Sequence, residues 1–505
     1  MTSIETSIET GAQMRDIATS EEAASRYWAL PKERYDLIII GGGSAGLTAA
    51  TTAAALGASV ALLDRSRLGG ECLYTGCVPS KALLHVAHLV ARIRSAAALG
   101  LDVQLSDIPF AAVAERVQRA IRDVYIESDA PEHYIARGID VAFGEMRFIS
   151  PSALSVNGQH VTARRFLLST GSRPRIPAIP GLAEAAFLTN ETVFDLRQLP
   201  KRLAVIGGGP IGCELGQAFA RLGSNVTIFQ RPERLIPKDE PEASALLRDC
   251  LAADGVAVWT RAEVTGVTRR GDERIIAVRA TEGNAEVAVD AILVAVGRRP
   301  STHGLDLVAA GVPVDDQRGV VVDRSLRTNN GRIFAAGDVI GGYRFTHAAA
   351  LQARVAVRNA LFPGRAKLDE RVMPWATFTD PEVAHVGLTE AEARQRHGDR
   401  VRCVTQPFRA VDRAITDQET TGYVKLVATK DGKLLGAQMV GAGAGEHINE
   451  LAVALQHRLT LADLAATTHV YPTLALAIQQ AAGAYSLDRT ARRLAVRVLR
   501  AVAGW

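Results

Sequence analysis

A chain of 505 residues exceeds what one hydrophobic core organises, since domains run to about 100 to 200 residues, so three or four packed units are expected. With 48% hydrophobic residues, 22% charged residues and 44 glycines, the composition suits a globular α/β protein rich in tight turns. A formal charge of +4, with no continuous run of Lys and Arg in the body of the chain, gives nucleic acid no basic face to bind.

No apolar stretch reaches the roughly 18 residues of a membrane span, and the polar opening MTSIETSIETGAQMRD has no apolar signal region, so a cytoplasmic protein is expected. Five cysteines, at 72, 77, 213, 250 and 403, are an odd number in a long chain and argue against a secreted disulfide framework. Any disulfide here is expected to be catalytic.

Residues 1–34 lack apolar periodicity, and their short repeat TSIETSIET reads as a mobile tail. From Tyr35 the run YDLIIIGGGSAGLTAATTAAALG, followed by SVALLD, reads as strand, glycine-rich turn, helix and strand. Gly41, Gly43 and Gly46 spell G-x-G-x-x-G in that turn, and Asp64 ends the second strand at the offset of a ribose-binding acid. A lone glycine fingerprint is often only a turn; strand, helix and acid together make it a dinucleotide site, with phosphates held by the helix N-terminus.

The segment GGECLYTGCVPSK, residues 69–81, places Cys72 and Cys77 five positions apart. On a regular helix five steps separate Cα atoms by about 7.5 Å, beyond comfortable disulfide reach. The helix is therefore expected to start irregularly, with Gly76 and Pro79 allowing it, and a short bridge there would be reducible. A thiolate near a helix N-terminus also gains from the aligned dipole. Two free buried thiols are the other reading of the pair.

Lys81 to Ala98 reads as an amphipathic helix, strand-like runs follow to Leu168, and GSRPRIPAIPG marks a crossing between domains. A second strand-turn-helix unit, LAVIGGGPIGCELGQAFARLG and NVTIF, starts at Leu203, with Gly207, Gly209 and Gly212 as its fingerprint. Its strand ends in Phe229-Gln230-Arg231 in place of an acid, so Arg231 and Arg234 are candidates to pair with a 2′-phosphate, unless they are only solvated surface arginines. This favours NADPH, with NADH as the other nicotinamide to consider.

AILVAVGRRP and IFAAGDV are buried-strand patterns expected to return to the first sheet. From Arg371 strands (YVKLVAT, LLGAQMV) alternate with helices (HINELAVALQHR, PTLALAIQQAAGAY), as in a separate α+β domain. The ending SLDRTARRLAVRVLRAVAGW sets Arg489, Arg492, Arg493, Arg497 and Arg500 among apolar residues at helical spacing. A helix packed on its own dimer is the plainer expectation, and contact with an anionic membrane surface or a partner the other.

In their order along the chain these motifs resemble the class I pyridine nucleotide-disulfide oxidoreductases, the group containing glutathione reductase, dihydrolipoyl dehydrogenase and mercuric reductase. The resemblance spans nearly all of residues 35–484, through both fingerprints, the C-x-x-x-x-C segment, STGSRP (with Thr170 and Gly171), AVGRRP (with Gly297), AAGDV (with Gly337 and Asp338) and FTDPEVAHVGLTEAEA. It implies two Rossmann-like dinucleotide-binding domains and a C-terminal α+β dimerisation domain: FAD-binding and central parts at 35–172 and 297–368, an NAD(P)-binding domain at 173–296, dimerisation at 369–484, and a basic helix at 485–505.

The resemblance further implies that Cys72 is the interchange thiol that meets the acceptor and Cys77 the thiolate lying against the flavin. Lys81 would sit near the flavin paired with Glu214, and Asp338 would bind the ribityl chain. Ser44, Ala45, Arg65, Gly70, Lys81, Thr170, Gly171, Gly297 and Gly337 would line the FAD, and Gln230 and Arg231 the NAD(P). Where members of the family often have a tyrosine gating the nicotinamide, this chain has Pro210.

The C-terminus departs from the disulfide-handling members, whose His-Pro-Thr-x-x-Glu supplies an acid/base. Here the stretch reads Tyr471-Pro472-Thr473-Leu474-Ala475-Leu476. A phenol, with an ordinary pKa near 10, shuttles protons poorly at neutral pH, whereas an imidazole near 6.5 is suited to it. His469, two positions earlier, is the substitute base to consider. Mercuric reductase resembles this chain in carrying Tyr there, but its C-terminal Cys pair has no counterpart, Cys403 being the last cysteine.

The expected function is electron transfer from NADPH through FAD and Cys72/Cys77 to a small oxidant. Hg(II) or another soft metal held transiently by the two sulfurs is foremost. Dihydrolipoamide chemistry using His469 is the enzymatic alternative. A redox-sensing flavoprotein recruited through the arginine tail is the alternative of another class.

Overall fold

In the computed structural model, which describes Tyr27 and residues 30–281, 283–492 and 499–504, the run DLIII becomes part of the middle strand of a sheet. Strand β1 (Arg34–Ile40) lies parallel to both β2 (Val60–Asp64) and the later β6 (Gln159–Leu168), with Ile39 opposite Leu62 and Leu167. Leu37 to Ile40 are all buried, as a parallel strand covered on both faces requires. Between β1 and β2 runs α1 (Ser44–Ala55).

After β2 come α2 (Gly70–Tyr74), α3 (Cys77–Arg94) and α4 (Phe110–Val124), and then β3 (Asp140–Phe143), β4 (Met146–Ser150) and β5 (Ala153–Val156). The first sheet has the order β3-β2-β1-β6-β5-β4. Chain neighbours β1 and β2 lie on one side of the β1–β6 boundary and the returning strand on the other, which opens a crevice at the carboxyl end of β1.

β7 (Ser172–Pro174) leads into the second sheet, made of β8 (Arg202–Ile206), β9 (Asn225–Gln230), β10 (Ala257–Thr260) and β14 (Ala291–Val294) in the order β10-β9-β8-β14. Helices α5 (Pro210–Leu222) and α6 (Pro241–Ala253) belong to this unit, and β11 (Glu263–Arg270), β12 (Glu273–Ala280) and β13 (Gly283–Val289) form an antiparallel meander beside it. The chain leaves by β15 (Arg298–Pro300), which pairs antiparallel with β7. Entrance to and exit from the second unit are thus one two-stranded ribbon.

A small hairpin, β16 (Val314–Asp315) and β17 (Gly319–Val320), precedes β18 (Ile333–Ala335), which joins the first sheet beside β6. Of the two strand patterns expected to return to that sheet, only IFAAGDV does so. AILV pairs with β8 instead. A continuous apolar run signals a strand buried on both faces and carries no information about which parallel sheet it completes. Helix α7 (Thr346–Leu361) then packs on α1, alanine against alanine: Ala353 and Ala356 share a core with Ala49 and Ala53.

The last unit is an antiparallel sheet of β19 (Trp375–Thr377), β20 (Glu382–Gly387), β21 (Val401–Pro407), β22 (Tyr423–Thr429) and β23 (Leu434–Gly441), in the order β19-β20-β23-β22-β21. With it go α8 (Glu390–His397), α9 (Ala444–Gln456) and α10 (Leu476–Arg492). Helix α10 runs through residue 485, so no break separates it from the basic segment. The side chains of residues 488–498 lie outside the described residues, and with them most of the surface-contact reading of the arginine tail.

At the other end the ordered packing starts before Tyr35. Leu30 is buried, Tyr27 meets Phe143 edge-on with ring centroids 5.9 Å apart, and Lys32 pairs with Asp140 at 2.7 Å. Among the described residues no helix is long and apolar enough to cross a membrane.

Two ion clusters, each built on a buried cation, hold the second unit against the last. Lys425 on β22 extends Nζ to Glu240 (3.2 Å), Glu242 (3.0 Å) and Glu390 (2.8 Å), and Arg221 on α5 bridges Asp254 (2.9 Å) and Asp380 (2.8 Å).

Candidate active site

Both glycine fingerprints face a single cavity of about 2660 Å³. A Cβ on Gly46 would lie 1.8 Å from the Gly41 carbonyl oxygen, so helix α1 packs on its strand only with glycine there. Gly43 differs: a Cβ would meet nothing nearer than Gly70 Cα at 3.7 Å, and at Gly209, its counterpart in the second fingerprint, nothing within 4 Å. The protein itself leaves these middle positions open.

Neither α1 nor α5 has a side-chain cap or an acidic residue in its first turn, so their amide N–H groups and positive dipole ends are left for an anion. Both cradles fit a dinucleotide pyrophosphate. Gly41, Gly43, Ser44, Ala45, Asp64, Arg65, Gly70, Thr170, Gly171, Gly337 and Asp338 line the first part of the cavity; Gly207, Gly209, Gln230, Arg231 and Gly297 line the part toward the second fingerprint.

The two cradles are built alike. Asp64 Oδ2 accepts the Gly42 N–H at 2.7 Å, and Gln230 Oε1 accepts the Gly208 N–H at 2.7 Å. Burial pushes the Asp64 carboxyl up, against the pull of several backbone N–H groups. The Gln230 amide also donates to the Arg234 carbonyl at 3.0 Å, so Gln230 serves the turn as well as lining the cavity. Arg231 is exposed and sits 3.8 Å from Glu263, which also holds Arg279. The Arg234 guanidinium instead donates to the Pro237 carbonyl at 2.9 Å, and Arg234 is not among the cavity-lining residues.

Between the cradles lies the C-x-x-x-x-C segment. The expected irregular helix start is a complete break: Cys72 belongs to the short α2, Thr75 and Gly76 interrupt, and Cys77 opens α3. The break folds the chain back so that the two side chains meet as free thiols, both lining the cavity. Cys72 S–H donates to Cys77, which pushes Cys72 up and lowers Cys77 to about 6, with Lys81 and Thr346 adding to the latter. Cys77 is thereby made the more acidic of the two and Cys72 the less. Thr346 Oγ1, at the start of α7, is 3.8 Å from the Cys77 sulfur.

One helical turn past Cys77, Lys81 Nζ meets Glu214 Oε2 at 2.8 Å and stands 4.4 Å from the centre of the Phe378 ring. Glu214 is buried on α5, and its other oxygen accepts the Phe378 N–H at 2.9 Å. This pair ties the cysteine helix to the second unit and to the start of the last. Asp338 accepts from the Ser172 hydroxyl, and Pro210 occupies the first turn of α5 with no phenol there.

The C-terminal candidates lie elsewhere within this chain. Tyr471 is exposed and donates to Asp412 Oδ2 at 2.8 Å. His469 places Nε2 2.9 Å from Glu450 Oε1 and Nδ1 3.0 Å from the Thr467 carbonyl, so both ring nitrogens face acceptors. Neither residue lines the cavity of its own chain. Cys213 is buried, and Cys250 and Cys403 are partly buried, all three thiols pushed up mainly by desolvation.

One participant escaped the sequence reading. Glu71, directly before Cys72, bonds to Arg298 and to Asn190 Nδ2 (3.2 Å). The only signal available was an acid inside the glycine-flanked cysteine segment.

Comparison with known proteins agrees with this arrangement. The family model described as pyridine nucleotide-disulphide oxidoreductase matches residues 35–353, and that of the same family's dimerisation domain matches residues 373–482. Mercuric reductase from Bacillus cereus is 37% identical over 457 residues, covering 90% of this chain and 72% of the relative. Dihydrolipoyl dehydrogenase from Chlamydia muridarum is 35% identical over 454 residues, 88% of this chain and 95% of the relative.

Among solved structures, the Cu(II) complex of the HOCl-induced flavoprotein disulfide reductase RclA from Escherichia coli superposes with a TM-score of 0.80 at 28% identity, over 90% of this chain and 100% of that one. Family members use FAD and NAD(P)H. FAD, when bound, supplies the two-electron relay between nicotinamide and thiols. With two dinucleotide cradles converging on a dithiol, and with both family models matched in order along it, this chain belongs to the pyridine nucleotide-disulphide oxidoreductase family.

Proposed function

We propose that this enzyme passes electrons from NADPH through FAD and the Cys72/Cys77 pair to a soft metal ion. The observation that carries the reading is the pair of free cysteines, Cys72 and Cys77, lining one open cavity, a sulfur ligand set that soft cations prefer over carboxylate or water. The mercuric reductases among its relatives and the Cu(II) complex of the RclA structure support the same class of acceptor.

In this reading Cys72 meets the acceptor and Cys77 faces the flavin. Lys81, anchored by Glu214, stabilises the Cys77 thiolate and stands at the flavin. Asp338 holds the ribityl chain. Arg231 and Arg279, two cations flanking the single anion Glu263 beside a neutral Gln230, favour a 2′-phosphorylated nicotinamide. The chain works as a homodimer through residues 373–482, and the exposed Tyr471 serves the partner's site.

Relatives of the dihydrolipoyl dehydrogenase type are nearly as similar, and that chemistry is the second reading. It requires an acid/base, and His469, whose Nε2 meets Glu450 and which like Tyr471 lies away from the cavity of its own chain, is the residue that would have to supply it.

The test is anaerobic NADPH titration of the FAD-loaded protein, followed by Hg(II) with excess thiol, Cu(II), a quinone, glutathione disulfide or lipoamide. A long-wavelength thiolate-to-flavin band that a metal ion discharges fastest supports the reading. Fastest discharge by lipoamide or glutathione disulfide refutes the acceptor assignment. Absence of the band refutes the role given to the cysteines.

A further inference from the structure

The acid missing from the end of β9 returns at the start of β11. Two backbone bonds fold that start against the loop after β9: the Ala262 N–H donates to the Gln230 carbonyl at 3.1 Å and the Arg261 N–H to the Pro232 carbonyl at 3.0 Å. Glu263, next in the chain, is thereby set beside Arg231, with its Oε1 3.8 Å from the arginine Nε. Its other oxygen accepts from Arg279, which stands directly opposite it on β12. One carboxylate thus holds two guanidiniums, and all three residues line the cavity.

The charges around this triad are engaged elsewhere or share the sign of the arginines. Arg261 reaches Glu233 at 2.9 Å, and neither residue lines the cavity. Asp239 does line it, but its carboxylate is buried and accepts the Trp375 Nε1–H at 3.0 Å. Lys238 and Arg175, also among the lining residues, add positive charge. Glu263 itself is only partly buried, so its carboxylate can turn to water once other anions take its arginines.

We propose that Glu263 is the residue that sets how strongly this enzyme discriminates between its two possible electron donors: it is an internal counter-anion that a 2′-phosphate must displace from Arg231 and Arg279. A ribose without that phosphate leaves both pairs intact and loses nothing. The pocket therefore accepts phosphorylated and unphosphorylated nicotinamides with less discrimination than its arginines alone would impose. The proposal rests on the reading of Arg231 and Arg279 as the 2′-phosphate side of the donor site and is independent of the acceptor.

Glu263→Gln keeps the shape and an oxygen for Arg279 while removing the charge. An exposed cross-strand ion pair contributes little to stability, so the fold should stand without it. At pH 7.5 a ribose phosphate is mostly a dianion, and one unit charge acting on it at contact range through solvent is worth about tenfold in affinity, reduced toward about fivefold by salt screening. The experiment titrates the FAD-loaded, oxidised protein with NADP+ and with NAD+ in a calorimeter. Neither can reduce the flavin, so the titration reads binding alone, and the two probes differ only in the 2′-phosphate.

Glu263→Gln should raise the preference for NADP+ over NAD+ by about fivefold to tenfold, with NAD+ affinity little changed and the gain shrinking as NaCl is added. Arg279→Gln should lower the preference. An unchanged preference in Glu263→Gln, a gain indifferent to salt, or equal changes with both nucleotides overturns the proposal. If Glu263→Gln fails to fold, Glu263→Ala is titrated in its place with the same outcomes. A native protein that binds NAD+ as tightly as NADP+, with the preference gained in Glu263→Gln, ends the NADPH reading and leaves the role of Glu263 standing. A strong native preference that the variant leaves unmoved does the reverse.

Discussion

Replacing Gly43 by alanine separates what the glycine fingerprint does for the fold from what it does for the ligand. Gly43 has φ −86° and ψ −170°, a conformation open to any residue, and its Cβ would touch only Gly70 Cα at an ordinary 3.7 Å. The protein alone should tolerate the change, and the lower chain entropy of alanine in the unfolded state should make it neutral or stabilising by up to about 1 kcal/mol. The added methyl nevertheless fills the space a pyrophosphate occupies.

Gly46→Ala is the control. Its Cβ would lie 1.8 Å from the Gly41 carbonyl oxygen, inside any allowed contact, and backbone cannot swing aside as a side-chain end can. The helix must move off the strand at a cost at the upper end of overpacking, about 3 kcal/mol or more. The assays are the ratio of flavin to protein absorbance after purification and the thermal unfolding of both variants stripped of FAD. Gly43→Ala should lose FAD with its apoprotein melting unchanged, while Gly46→Ala should lose both. A Gly43→Ala protein that retains stoichiometric FAD would refute the assignment of this cradle.

Other perturbations test the remaining parts. Lys81→Gln removes a cation that helps hold Cys77 near 6, so the pH at which the thiolate forms should rise by about one unit, readable as the pH dependence of the thiolate-to-flavin band. Arg231→Gln should cut kcat/KM for NADPH by about tenfold or more with that for NADH little changed, the worth of one charge-assisted hydrogen bond; an equal loss with both would place Arg231 off the 2′-phosphate. Lys425→Met strands three carboxylates and should destabilise the protein by about 3 kcal/mol at neutral pH, measured by urea unfolding. Glu390 is held at about 2, chiefly by Lys425, so its contribution is complete above its ordinary 4.5 and fades as pH falls toward 2. The gap between variant and native should therefore narrow on acidification below 4.5.

What could be read from the sequence was what is local. Strand, glycines and helix stand within thirty residues of one another in each fingerprint, and the spacing of Cys72 and Cys77, with Gly76 and Pro79 beside them, pointed to an irregular helix start, though not to the full break. Contacts between distant residues left no such trace. Glu71 and Arg298 are 227 positions apart, and Glu71 and Asn190 are 119 apart, so an acid beside a cysteine gave no hint of its partners. AILV looked as suited to one parallel sheet as to the other, because hydrophobic period reports burial and is silent on neighbours. His469 drew notice as a base by its closeness to Tyr471, yet its orientation is fixed by Glu450 across the surface of α9.

The matching ties of Asp64 to Gly42 and Gln230 to Gly208 carry a consequence for how cofactor preference can change over time. Each turn takes one oxygen of its strand-end residue on the N–H of the middle glycine of its GGG run, while the other end of the side chain holds the following loop: Asp64 Oδ1 accepts the Ser66 N–H at 3.1 Å, and the Gln230 amide donates to the Arg234 carbonyl at 3.0 Å. Carboxylate and carboxamide both supply the oxygen that the glycine N–H needs, so an exchange of Glu for Gln at such a position would remove a negative charge that repels a phosphorylated ribose while keeping that tie to the turn. Selectivity for the electron donor can drift at this position without passing through a misfolded ancestor.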